Sequence, residues 1–302
     1  MYRKSASLVF IFFALLFILM SHFLFPRFIT ETKNPLLNLL RPPQKMAPIK
    51  QAKDLEIKLS DGNLMTAALV KSEVKVPKGL IILIHGIRGQ KESFNGLTRR
   101  LAKRGFHSVA VDLRGHGQHT ASHSTFGAKE KHDISLLVDH LIHKEGIDQK
   151  IGLWGISLGG AVSLQALAVD KRISFAIVES TFSNLNGTVH NYFKHFGGFN
   201  IPPFTDYLIK RAGKMADFEP SKVIPSEACK NITQDILVVH GDKDKRIPLN
   251  NAKENFENLK STNKELLIIE GADHGGVWEV GGEEYFEKAF RFLEGVGKMG
   301  YS

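Results

Sequence analysis

From residue 79 to residue 294 the chain alternates two hydrophobic patterns. Short, mainly apolar runs stand at 79–84, 107–112, 150–154, 173–179, 236–240 and 265–270. Between most of them lie stretches whose apolar residues recur every three or four positions, at 93–103, 129–143, 158–167, 250–260 and 283–294. Unbroken apolar runs of strand length read as strands buried on both faces, and the spaced stretches read as amphipathic helices. Strand and helix in alternation predict an α/β fold, with a mostly parallel central sheet and helices on both faces. Ahead of the alternation, 54–60 and 64–70 are strand-like and are joined by Asp61-Gly62-Asn63, a hairpin signal.

The alternation breaks between Thr181 and Gln234. This stretch is rich in aromatics (Phe182, Tyr192, Phe193, Phe196, Phe199, Phe204 and Tyr207) and is interrupted by Gly197-Gly198 and Pro202-Pro203. It predicts an insertion over about 182–234, a small helical cap above the C-terminal edge of the sheet. The aromatics suit either an acyl pocket or a core of the cap's own.

A different pattern opens the chain. Residues 5–25 are apolar apart from Ser21 and His22 at one end and Ser5 and Ser7 at the other. About 20 such residues span a bilayer as a helix. No small-x-small cleavage site follows, so residues 1–25 are expected to be an uncleaved transmembrane signal anchor. Residues 26–50 hold Pro35, Pro42, Pro43 and Pro48 and read as a linker, with the main domain covering 51–302. Arg3 and Lys4 favour an extracytoplasmic domain, and we take that side as expected. Arg27, Lys33, Arg41 and Lys45 on the other flank argue against it.

Composition changes this picture little. The net charge of +9 is spread without a dense basic run, so a nucleic-acid partner is not expected. Cys229 is the lone cysteine, which excludes an internal disulfide.

The candidate chemistry starts at Gly155-Ile156-Ser157-Leu158-Gly159, a serine between a strand and a helix with glycine two residues to either side. A turn that tight exposes the hydroxyl at a helix N-terminus, the nucleophile-elbow arrangement. A serine hydroxyl needs a base, and the base needs an orienting acid. His274, in Gly271-Ala272-Asp273-His274-Gly275-Gly276, is the candidate base. Asp244, in Gly241-Asp242-Lys243-Asp244, is the candidate acid, with Asp242 its competitor. Each follows an apolar strand, at the edge where open α/β sheets place their sites. An oxyanion needs two donors. The N–H of Leu158 supplies one, and the N–H of Ile87, after His85-Gly86, supplies the other. His85 is expected to hold that loop by hydrogen bonds. Arg88 beside it would suit an anionic substrate. His116, His119 and His123 share one loop but lack carboxylate or cysteine company, so no metal is expected.

Together, His85-Gly86, Asp112-Leu113-Arg114-Gly115-His116-Gly117, the Ser157 motif, His240-Gly241-Asp242-Lys243-Asp244 and Asp273-His274 resemble the α/β-hydrolase superfamily over residues 51–300. The small cap and the run from Asp217-Phe218-Glu219-Pro220 to Pro248 look like the membrane-anchored Bem46-like and serine-aminopeptidase-like hydrolases, a group similar to monoacylglycerol lipases. The resemblance implies Ser157, Asp244 and His274 as a catalytic triad, with the acid at the family's His-Gly-x-x-Asp aspartate. It implies no cofactor. The implied substrates are small-molecule or lipid esters cleaved through an acyl-enzyme on Ser157. Peptidase or thioesterase activity is the nearest alternative, and a non-catalytic membrane-tethered binding module is the alternative of another class.

Overall fold

The structure, a computed structural model, describes residues 2–40, 42, 44–198 and 200–298. Met1, Arg41, Pro43, Phe199 and the last four residues lie outside the described residues.

One sheet of eight strands organises the domain. The strands are β1 (Lys53–Lys58), β2 (Leu64–Val70), β3 (Gly79–Ile84), β4 (Phe106–Val111), β5 (Ile151–Ile156), β6 (Ile173–Glu179), β7 (Asp235–Gly241) and β8 (Lys264–Ile269). They lie in the order β1-β2-β4-β3-β5-β6-β7-β8. β2 is antiparallel to both β1 and β4, and every other pairing is parallel. The helices are α1 (Tyr2–Leu19), α2 (Arg27–Thr30), α3 (Pro35–Leu40), α4 (Asn95–Arg104), α5 (Glu130–His143), α6 (Leu158–Val169), α7 (Leu185–Gly197), α8 (Pro202–Ala216), α9 (Pro225–Cys229), α10 (Asn250–Asn258) and α11 (Val277–Lys298).

The unbroken apolar run of β3 explains why both faces of the sheet are covered. Leu80, Ile82 and Ile84 enter one core, while Ile81 and Leu83 enter the other, because successive side chains of a strand point to opposite faces. α5 and α6 pack on the first face, α4 and α11 on the second. Fully burying one such Leu or Ile contributes about 1.5–3 kcal/mol. The chain leaves β3 toward one face and β5, its neighbour, toward the other. That divergence opens a crevice beyond the strands' C-terminal ends, where ligands of open α/β sheets bind.

Most element ends fall within one or two residues of the sequence reading. The exception is the last helix, expected at 283–294, which starts at Val277 and breaks at Gly282, where φ is 50°. Gly281-Gly282 divides a first segment too short to show helical periodicity.

The stretch between β6 and β7 folds as α7, α8, a 3-10 turn at Pro220–Lys222 and α9. Its aromatics do not form one group. Phe182 is buried, and Tyr192 and Phe193 pack on the core of the α5–α6 face. Phe204 instead stacks on Phe17 of α1, with ring centroids 5.7 Å apart. The Tyr207 hydroxyl meets Nδ1 of His22 at 2.6 Å.

The N-terminal segment Phe10–Thr30 is long and apolar enough to cross a membrane. Phe10, Phe12, Phe13 and Phe17 are exposed on it. The residues that follow lie along the domain. The N–H of Ser124 donates to the carbonyl of Thr30 at 2.9 Å. The Thr32 hydroxyl donates to the Gly115 carbonyl. The Lys33 ammonium donates to the carbonyls of Gly117 and His119, at 3.2 and 2.8 Å.

Candidate active site

The turn from β5 into α6 is built around Ser157, which has φ 55° and ψ −113°. A non-glycine residue there carries strain on the order of 1–3 kcal/mol. Packing over-determines it. A Cβ added to Gly155 would stand 2.3 Å from the carbonyl oxygen of Gly159, and one added to Gly159 would stand 2.0 Å from that of Ile84. The serine N–H is also held, donating to the carbonyl of Glu179 at 2.7 Å.

The structure brings Ser157, His274 and Asp244 together. Ser157 Oγ lies 2.9 Å from Nε2 of His274, and Nδ1 of His274 lies 2.7 Å from Oδ2 of Asp244. Oδ1 of Asp244 accepts from the N–H groups of Arg246 and Ile247, both at 2.9 Å. His240, fully buried in β7, donates from Nε2 to the Ile247 carbonyl at 2.7 Å and stands 3.4 Å from Oδ2 of Asp244. Burial opposes the charge on Asp244. The hydrogen bonds from His240 and His274, with that of Ile247, outweigh burial and hold its carboxyl well below the usual range. Asp244 is therefore an ionised acceptor for the Nδ1 proton of His274.

Asp242 lies apart from this chain. It accepts the N–H of Gly271 at 2.6 Å, tying the loop after β7 to the loop after β8. The amides farther along the loop, of Arg246 and Ile247, go to Asp244 instead.

The loop after β3 closes the other side. Gly86 sits against Ser157, so that a Cβ on it would lie 3.3 Å from Cβ of Ser157. His85 holds the loop. Its Nδ1 donates to the Gly86 carbonyl at 2.8 Å, and its Nε2 accepts the Leu113 N–H at 3.2 Å. Burial lowers its pKa and keeps it neutral. Leu158 is the first residue of α6, so its N–H is one of the helix-start donors without an intrahelical acceptor. Ile87 follows Gly86 in the same turn. A cavity of about 200 Å³ opens here, lined among others by Gly86, Ile87, Phe94, Ile156 and Trp278.

The three histidines of the 116–123 loop go to separate partners. Nδ1 of His116 donates to the Arg114 carbonyl at 2.8 Å. Nδ1 of His119 accepts the Ala121 N–H at 3.0 Å, and Nδ1 of His123 meets the Thr30 hydroxyl at 2.9 Å.

Sequence reasoning missed three residues near the site. Glu179 ends β6 and carries both the Ser157 N–H and a buried carboxylate. Asn191, on α7, donates to the carbonyls of Lys245 and Arg246 at 3.0 and 2.7 Å, which ties the cap to the loop that carries Asp244. His240 braces Asp244. A lone carboxylate closing the apolar run 173–178 was a visible signal for the first. Asn191 carries none, and His240 stands out only as the first residue of the His240-Gly241-Asp242-Lys243-Asp244 run.

The sheet order and its covering helices define the α/β-hydrolase fold. More particularly, the sequence profile of the prolyl oligopeptidase family matches residues 92–299, well over half of the chain, and the chain belongs to that family of hydrolases. An uncharacterized 31.7 kDa protein of Escherichia coli is 32% identical over 130 residues, 42% of this chain and 45% of that protein. A Gallus gallus protein, lysophosphatidylserine lipase ABHD12, is 25% identical over 202 residues, 61% of this chain and 48% of that protein. The chain thus spans about half the length of these curated relatives. Among solved structures, a Pyrococcus furiosus esterase, PF2001, superposes with a TM-score of 0.68 at 22% identity, covering 80% of this chain and 90% of that one. That likeness bears on the fold.

Proposed function

We propose that the chain is a membrane-anchored serine hydrolase that cleaves carboxylic esters. The observation that carries this reading is the unbroken chain of contacts from Ser157 Oγ through the His274 ring to Asp244, at 2.9 and 2.7 Å, on a strained elbow. In this reading Ser157 Oγ attacks the acyl carbonyl while His274 takes its proton at Nε2. Asp244 keeps the Nδ1 proton in place and supports the imidazolium. The N–H groups of Leu158 and Ile87 hold the oxyanion. His274 then protonates the departing alcohol, and water activated by the same base releases the acyl group from Ser157. Every step uses a group of this chain, and no cofactor enters.

The apolar helical segment Phe10–Thr30 supports the expected anchor at residues 1–25. The domain in this reading covers 51–302, carries the cap at about 182–234, and lies on the extracytoplasmic side of the membrane. The contacts of Phe204 and Tyr207 with α1 and His22 put the cap beside the anchor. That arrangement, with the lipase named among the relatives, favours lipid esters. The family match favours a second reading, cleavage of peptide bonds by the same residues. Turnover of p-nitrophenyl and monoacylglycerol esters against aminoacyl p-nitroanilides tests the choice. Ester turnover well above anilide turnover is expected, and the reverse order would move the activity to peptides.

A further inference from the structure

Glu179 is a fully buried carboxylate with no cation among its hydrogen-bond partners in the described residues. Its side chain accepts from three neutral donors: the indole of Trp154 on β5, the indole of Trp278 at 2.9 and 3.1 Å, and the hydroxyl of Tyr285, the last two on α11. Its main-chain carbonyl accepts the N–H of Ser157 at 2.7 Å. One residue therefore grips the nucleophile turn with its backbone and the segment after His274 with its side chain. Trp278 stands four residues beyond His274, and its ring lines the cavity beside Gly86 and Ile87. A carboxylate buried without a counter-ion is a poor choice for stability, since apolar residues of like volume usually do as well or better.

We propose that Glu179 is a positioning residue, which locks the Ser157 turn to the His274 segment and so sets the contact between hydroxyl and imidazole. The inference rests on the reading of Ser157 and His274 as nucleophile and base. An ionised carboxylate offers only acceptors, so the two indoles and the phenol have one arrangement that satisfies all of them. Burial raises the pKa of Glu179, and burial, together with the Glu179 carboxylate, raises that of Tyr285. Tyr285 is the titratable group facing it, and Trp154 and Trp278 are its remaining partners. A proton on Glu179 turns one acceptor into a donor and breaks the arrangement.

The chain has two tryptophans, and both donate to this carboxylate. Intrinsic fluorescence therefore reports its charge directly. In the full-length protein in detergent, intrinsic fluorescence is expected to change as pH drops and a proton reaches Glu179. Glu179→Gln puts an NH2 donor where an indole or phenol must donate. It should lower kcat about 30-fold or more with KM within threefold, and remove the fluorescence transition. Trp278→Phe keeps the ring and loses one donor, and should lower kcat about fivefold or more. A merely structural carboxylate predicts lower melting temperatures with kcat unchanged. A folded Glu179→Gln with kcat within threefold of wild type, or one that keeps the fluorescence transition, overturns the proposal. If Glu179→Gln does not fold, unchanged kcat in Trp278→Phe overturns it. Ester turnover that survives Ser157→Ala would instead overturn the reading of the site itself.

Discussion

Ser157 Oγ and His274 Nε2 stand 2.9 Å apart across 117 residues of sequence. Two neighbouring structural devices create the contact. The elbow sets Ser157 at the crevice beyond the C-terminal ends of β3 and β5, against Gly86, and β7 and β8 run parallel so that their following loops meet. The tie from Asp242 to the Gly271 N–H fixes those loops to one another at 2.6 Å.

Asp244→Asn should lower turnover by about 10^3 to 10^4, because the amide favours the wrong imidazole tautomer and leaves the imidazolium unsupported. Asp242→Asn loses at most one loop hydrogen bond, worth about 0.5–1.5 kcal/mol net, and should keep activity within about tenfold. Initial rates on one ester, with thermal melts for folding, compare the two. The opposite ranking would move the acid to Asp242.

The depressed pKa of Asp244 also predicts the direction of acid sensitivity. A carboxyl whose folded pKa lies below its unfolded value, about 3.9, contributes stability above that value and loses it as pH falls toward the folded pKa. Its hydrogen bonds from His240 and His274 maintain the depression against burial. The wild-type melting temperature should therefore drop more steeply below about pH 4 than that of Asp244→Asn. Parallel acid limbs in the two proteins would contradict this.

Gly159→Ala should abolish activity by disrupting the elbow. Its Cβ would stand 2.0 Å from the Ile84 carbonyl oxygen, which belongs to the β3 backbone and cannot give way. Overpacking of this kind costs about 1–3 kcal/mol or more. A folded, fully active variant would show that the turn is looser than described.

Deleting residues 1–25 should release a soluble, active domain, while deleting 1–45 should give a less stable one. The second deletion removes the contacts of Thr30, Thr32 and Lys33 with the 115–124 loop. At about 0.5–1.5 kcal/mol per hydrogen bond, and about 2–4 °C per kcal/mol in a domain of this size, the two truncations should melt several degrees apart. Equal melting temperatures would make this segment a free tether.

What the sequence made legible and what it hid divide along physical lines. Buried parallel strands are apolar throughout, so β3 and β5 to β7 stand out. Ser157, Asp244 and His274 lie in glycine-bearing loops directly behind such strands, so their order alone picks them out. Glu179 gains its meaning from Trp278, 99 residues away, and no local pattern encodes that. Asn191 acts through backbone carbonyls, which any sequence supplies. The strap at residues 30–34 uses single polar contacts without periodicity. The aromatics of the cap read as one group, yet they serve two neighbours, the sheet's core and α1.

The central claim is that Ser157 is a nucleophile activated by His274. Labelling of the detergent-solubilised chain with a fluorophosphonate probe, followed by mass mapping of the adduct, tests it most directly. The expected result is one adduct on Ser157 in the wild type, no labelling of Ser157→Ala, and labelling of His274→Ala slowed by several powers of ten. An adduct on another residue, or unimpaired labelling of either variant, would contradict the account.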